Sequence, residues 1–162
     1  MKRQIFFTQI GGFDTHSAEI GGQANLLAQV IQAINAFYLA TVELGVQDNV
    51  TTFTMSDFGR TLQPAGSGVT AVGSDHAWGN HQLIIGGSVL GHTLYGTYPT
   101  LALGGPDDTD GGSNPRGRWI PTTSVEQYAA TLARWYGLST ADLPAVFPLI
   151  GRFATSNLGF FG

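Results

Sequence analysis

The sequence has no cysteine, only seven lysines and arginines, and no uninterrupted apolar run approaching the eighteen residues that mark a membrane span. Each shortage excludes something. Without cysteine there are no disulfides and no thiolate metal sites, so any metal must be held by Asp, Glu or His. With a net charge of −4 and no basic run, a nucleic-acid partner has no electrostatic footprint to bind. The N-terminus, Met1-Lys2-Arg3-Gln4, enters a short β-prone run with no signal-peptide core or cleavage site, which predicts a cytoplasmic chain. Charged residues are only 11% of the total, yet hydrophobic residues reach 43%, which excludes a disordered chain. The 162 residues fit a single α/β domain over 1–162, long enough to bury a core.

What is present is concentrated. Gly73-Ser74-Asp75-His76-Ala77-Trp78-Gly79-Asn80-His81 places a carboxylate and two imidazoles within nine residues of a chain with four histidines. The glycines allow the tight backbone that brings such groups to one point. Two further polar clusters, Phe13-Asp14-Thr15-His16 and Ser56-Asp57-Phe58-Gly59-Arg60-Thr61, each follow a β-like run. Polar clusters at three strand ends predict the rim of an α/β site.

Residues 4–10 read as a buried strand closed by Gly11-Gly12. Asp14 and His16 follow it. Two residues apart on an extended segment, both side chains can reach one ion, or else Asp14 caps a turn with His16 exposed. Residues 23–44 are helical, with Leu27, Val30, Ile31, Ile34, Phe37, Tyr38 and Thr41 at three- and four-residue spacing and Gly45 as the stop. The stripe reads as core. Strand, helix and the run 50–55 together predict a right-handed βαβ unit. Arg60 either pairs with Asp57 or grips a substrate oxyanion. Residues 62–74 predict a mobile loop over the site.

Residues 82–87 read as a third strand, and His92, with no acidic neighbour, as surface or core. The loop 98–118 carries Asp107, Asp108 and Asp110 without the closing glutamate of a calcium loop, so its aspartates read as solvated turn residues. A second helix starts at Thr123 or Ser124, has Glu126 in its first turn, buries Tyr128, Leu132 and Trp135, and ends at Gly137. Asp142 reads as the cap of a short helix through Val146. The uncharged tail ending in Phe160-Phe161-Gly162 needs a docking place, with a neighbouring subunit as one candidate.

The motifs Gly12-Phe13-Asp14-Thr15-His16, Ser56-Asp57-Phe58-Gly59-Arg60-Thr61 and Asp75-His76-Ala77-Trp78-Gly79-Asn80 resemble, in order and spacing, those of a bacterial family known as domain of unknown function 1501. Tyr95-Gly96 and Pro121-Thr122-Thr123 extend the likeness along the whole chain. The family is sulfatase-like and grouped with the alkaline phosphatase superfamily, and its usual member is more than twice as long and typically exported. The resemblance implies the C-terminal part of that fold, a βαβ-containing three-layer sandwich, truncated relative to the usual member. It implies divalent metal, zinc above all. Asp14 and His16 resemble the first ligand pair, Asp57 the carboxylate of the later pair with Phe58 in place of a histidine, and His76 the last histidine ligand, with Asp75 beside it. The superfamily's Ser or Thr nucleophile lies upstream of these motifs.

The expected function is therefore a metal-dependent hydrolase of phosphate or related sulfate esters using a metal-activated water. Its expected metal ligands are Asp14, His16, Asp57, Asp75, His76 and His81, and its expected catalytic residues are Arg60, Asp57 and Asp75. The competing expectation is a non-catalytic, metal-stabilised domain with a structural or assembly role. A small-molecule ester is the expected partner. Removing the upstream part of a sheet uncovers an edge or face, so a homo-oligomer is expected too.

Overall fold

The computed structural model describes residues 3–66 and 72–162. The expected loop 62–74 lies partly outside them. The chain divides into two compact units. One comprises Phe7–Gly87 and Pro99–Pro121; the other comprises Met1–Phe6, Ser88–Tyr98 and Thr122–Gly162.

The first unit contains helix α1 (Glu19–Glu43) and strands β1 (Thr51–Phe53), β2 (Gly59–Arg60), β3 (His76–Ala77) and β4 (Ile84–Gly86). Helix α1 stops where the sequence predicts. Gly45 takes φ +67°, the Gly45 N–H bonds Val42 O at 3.0 Å, and the Val46 N–H bonds Thr41 O at 2.9 Å. That pattern closes the last turn's free carbonyls around a left-handed glycine. The stripe, however, is not core. Thr41 alone is buried along α1, while Leu27, Ile31 and Phe37 are about half exposed.

The strands pair as two antiparallel ribbons. β1 lies against β4 with Thr52 opposite Ile85, and β2 lies against β3 with Arg60 opposite His76. The βαβ expectation needed residues 4–10 as a strand parallel to β1. Those residues form no strand, and Ile5, Phe6 and Phe7 are strongly exposed. An apolar run becomes a strand only where a neighbouring ladder takes up its backbone groups, and β1 is paired with β4 instead.

The second unit contains α2 (Val125–Tyr136) and α3 (Leu143–Val146). Ser124 caps α2 in a reciprocal box with Gln127, and Gly137 ends it at φ +111°. Tyr128 is buried as expected, together with Ala130 and Thr131. Ala130, Leu143 and Ile150 form the core, flanked by Leu138, Phe147 and Phe153. The tail docks within its own chain. Phe160 is fully buried beside Tyr95 and Tyr128, and Phe161 stacks on Trp135 at 5.0 Å. Aromatic partners from the same chain thus absorb the surface that the sequence left for a neighbouring subunit.

Candidate metal centre

All of the site lies in the first unit. Its foundation is the two-residue β2–β3 ribbon, which is so tight that a side chain at Gly59 would strike the backbone carbonyl of Gly79. The ribbon continues past its named residues, with the Thr61 N–H bonding Asp75 O at 2.9 Å and the Asp75 N–H bonding Thr61 Oγ1 at 3.1 Å. Ser74, Asp75 and His76 are therefore fixed beside Arg60. The segment carrying Asp14 and His16 is fastened from both sides. Gln23 of α1 donates to Phe13 O at 3.1 Å and to Thr15 Oγ1 at 2.9 Å. Arg60 donates to Thr15 O at 2.8 Å.

Asp14, His16 and His76 converge. Their ligand atoms lie within 4.8 Å of one another. His16 Nε2 is 2.8 Å and His76 Nε2 is 2.7 Å from the same oxygen, Asp14 Oδ1. Ligands held at about 2.0–2.2 Å from one zinc ion lie roughly 3–4.4 Å apart, so the two nitrogen–oxygen pairs, at 2.8 and 2.7 Å, need spread only slightly to hold such an ion. The donor set also fits, being two imidazoles and a carboxylate in a chain without thiols. The three side chains are half exposed, at 53%, 52% and 50%. The Asp14 carboxyl is held below its ordinary range by the hydrogen bond from His76, then by that from Arg60 and the imidazole charges. It therefore stays ionised and available as a ligand.

Arg60 belongs to the frame of the site. Its side chain is only 16% exposed, with Nη1 on Asp14 Oδ1 at 2.9 Å and Nε on Ser74 Oγ at 3.0 Å, and it also donates to the carbonyls of Thr15 and Ser74. Ser74 in turn donates to Glu19 Oε1 at 2.8 Å. Of the two roles the sequence left open, Arg60 pairs with Asp14 and not Asp57, and a guanidinium committed to four partners has little left for a substrate oxyanion.

Asp57 and His81 are not part of the converging group. The turn at 56–58 is stapled by Ser56 Oγ and Asn80 Nδ2, both donating to Phe58 O at 2.9 Å. This directs the Phe58 ring onto His76, stacked at 4.1 Å and 13°. The aromatic side chain standing where the resemblance leads one to expect a histidine thus stacks on His76. His81 falls beyond the Trp78-Gly79-Asn80 turn that follows β3. Asp75 stands behind His16, 3.8 Å from its Nδ1, and is salt-bridged to Arg116 at 2.5 Å.

Sequence reasoning missed Arg116 and Arg118. Arg118 Nε donates to the His76 carbonyl at 3.0 Å, and its Nη1 pairs with both oxygens of Asp110. The available signal was two arginines flanking one glycine in a chain with seven basic residues. Both arginines hang from a loop knotted around Asp108. That carboxylate is buried and accepts from the N–H groups of Gly104 at 3.0 Å, Gly117 and Asp110 at 3.1 Å, and Arg118 at 3.2 Å. Asp108 is thus a structural acceptor, not a solvated turn residue.

No curated protein and no solved structure matches the chain. The family described as "Protein of unknown function (DUF1501)" matches residues 2–109, a span that contains Asp14, His16, Arg60, Asp75 and His76 and stops short of Arg116. With two thirds of its length matched, this chain belongs to the DUF1501 family.

Proposed function

We propose that the protein is a metal-dependent hydrolase of phosphate esters (mono-, di- or triesters) or related sulfate esters, with Asp14, His16 and His76 holding one zinc ion. The observation that carries this reading is the convergence of two imidazole Nε2 atoms on one carboxylate oxygen at a half-exposed position. A structural zinc is enclosed by four protein ligands, whereas a catalytic one has three and an open place for water. Three exposed ligands favour the catalytic arrangement over a folding or assembly role. Bound there, zinc would lower the pKa of water to about 7 and so supply hydroxide near neutral pH. The chain's own residues prepare the place. Arg60 keeps Asp14 ionised and aimed, Phe58 stacks on the His76 ring, and Gln23, with the Ser74 N–H on the Thr15 carbonyl, holds the 13–16 segment beside β3. The ester class is the one that the sulfatase-like grouping expected from the sequence motifs implies.

Purified protein should take up one equivalent of zinc and hydrolyse an aryl phosphate or aryl sulfate ester above a chelator-treated control. His16→Ala and His76→Ala should each lower the rate at least about 100-fold. A fully loaded protein inert toward aryl phosphate mono-, di- and triesters and aryl sulfates would overturn the hydrolase reading. Uptake with unchanged turnover in both variants would overturn the site.

A further inference from the structure

We propose that Asp75 and Arg116 form a positioning relay for His16, with neither residue binding the metal. The inference rests on the metal-centre reading above. It begins with the geometry of one ring. His16 presents Nε2 to Asp14 at 2.8 Å, while Asp75 Oδ1 faces the other nitrogen, Nδ1, at 3.8 Å. The two nitrogens point to different sides of an imidazole, so the oxygen facing Nδ1 does not share an ion bound at Nε2. Asp75 Oδ2 is occupied by Arg116 Nη2.

When an ion takes the place of the proton that Nε2 shares with Asp14, the ring's remaining proton lies on Nδ1, where the Asp75 carboxylate favours it. At 3.8 Å the contact acts through charge rather than as a direct hydrogen bond. Asp75 can do this only if it is itself held. Its backbone is fixed to Thr61, and its side chain to Arg116. Arg116 is fixed in turn, because the Gln63 N–H bonds its carbonyl at 3.0 Å and the next residue, Gly117, is bound by Asp108. The loop that the sequence left without a role therefore reaches the metal centre through Arg116, and through Arg118 on the His76 carbonyl. Asp75, expected from sequence as a ligand and catalytic group, becomes a positioning residue.

The test is zinc affinity by chelator competition for wild type, Asp75→Asn, Arg116→Gln, Arg116→Lys and Asp14→Asn. It is paired with 15N NMR of the His16 ring in the zinc-loaded protein. Asp75→Asn keeps the shape of the side chain, and far-UV circular dichroism checks that each variant is folded. Asp75→Asn and Arg116→Gln should weaken zinc about 10–100-fold, Arg116→Lys should restore part of the loss, and the Nδ1-bound proton of His16 should exchange faster in the first two. If Asp75→Asn removes zinc as completely as Asp14→Asn, Asp75 is a ligand and the relay is wrong. Unchanged affinity with an unchanged His16 signal would also overturn the relay while leaving the metal centre standing. A wild-type protein that takes up no zinc would sink both.

Discussion

Gly73 has no side chain, and the backbone of His16 occupies the space where one would go. A Cβ there would overlap the His16 carbonyl carbon and oxygen and the Ser17 nitrogen. This close approach sets the distance between the 13–16 segment and β3, and so the distance between Asp14 and His76. Gly73→Ala should therefore push the two ligand segments apart, at about 1–3 kcal/mol of overpacking and at least about a tenfold loss of zinc affinity. Thermal unfolding and zinc competition together check it; an alanine variant that binds zinc as wild type would show the approach to be slack. At this scale the sequence was informative where rare residue types cluster. The convergence of Asp14, His16 and His76 was legible from residue type alone, because the 13–15 segment is not the extended run that the spacing assumed but is closed by the Thr15 N–H on the Phe13 carbonyl at 3.0 Å. The errors at Asp57 and His81 share a cause. A turn of three residues decides which side chain faces inward, and the staples that decide it, Ser56 and Asn80 on the Phe58 carbonyl, lie 24 positions apart in the chain.

Among the elements, helices were legible and pairings were not. Ser124, Gly137 and Gly45 act locally, through a cap bond or a left-handed φ, so their meaning survives without knowledge of the rest of the chain. Residues 4–10 and 50–55 carried equally β-like composition, but a strand also needs a neighbour, which composition does not name. The 98–118 loop is the third case, because its order comes from one aspartate collecting four N–H groups. Those bonds, with the Gly104 N–H foremost, hold the Asp108 carboxyl below the ordinary aspartate value of 3.8. A pKa depressed by folding means that the ionised form stabilises the fold. The contribution is full above the unfolded value and drains away as pH falls below about 4 toward the folded value. Asp108→Asn should thus be less stable than wild type at pH 7, and the gap should narrow between about pH 5 and pH 3. Urea unfolding at several pH values checks this. A gap that stays constant down to pH 3 would mean that Asp108 acts by shape, not by charge.

For the molecule as a whole, the telling feature is apolar surface left in water. Helix α1 runs 25 residues, and Ile20, Leu27, Ile31, Phe37, Leu39 and Val42 along it are all exposed, as is Leu44 at its end. By length and composition the helix is apolar enough to cross a membrane. Against that stand Asn25, Gln32 and Asn35, whose side-chain amides would lose their water partners in lipid. A helix with apolar and amide positions interleaved suits a protein surface better than a bilayer. Exposed apolar area contributes about 25 cal/mol per Å² once covered, so side chains of this size, grouped along seven turns, give a strong drive toward association. We propose that the chain forms a homo-oligomer through α1, the tail being already committed to Tyr95, Tyr128 and Trp135. Leu27 and Ile31 stand four residues apart and so on one face. The double substitution Leu27→Glu, Ile31→Glu should convert a sedimenting oligomer at micromolar concentration into a species of single-chain mass, 17.1 kDa. A wild-type protein already sedimenting at that mass would remove the oligomer, and an oligomer indifferent to the two glutamates would move its contact away from α1.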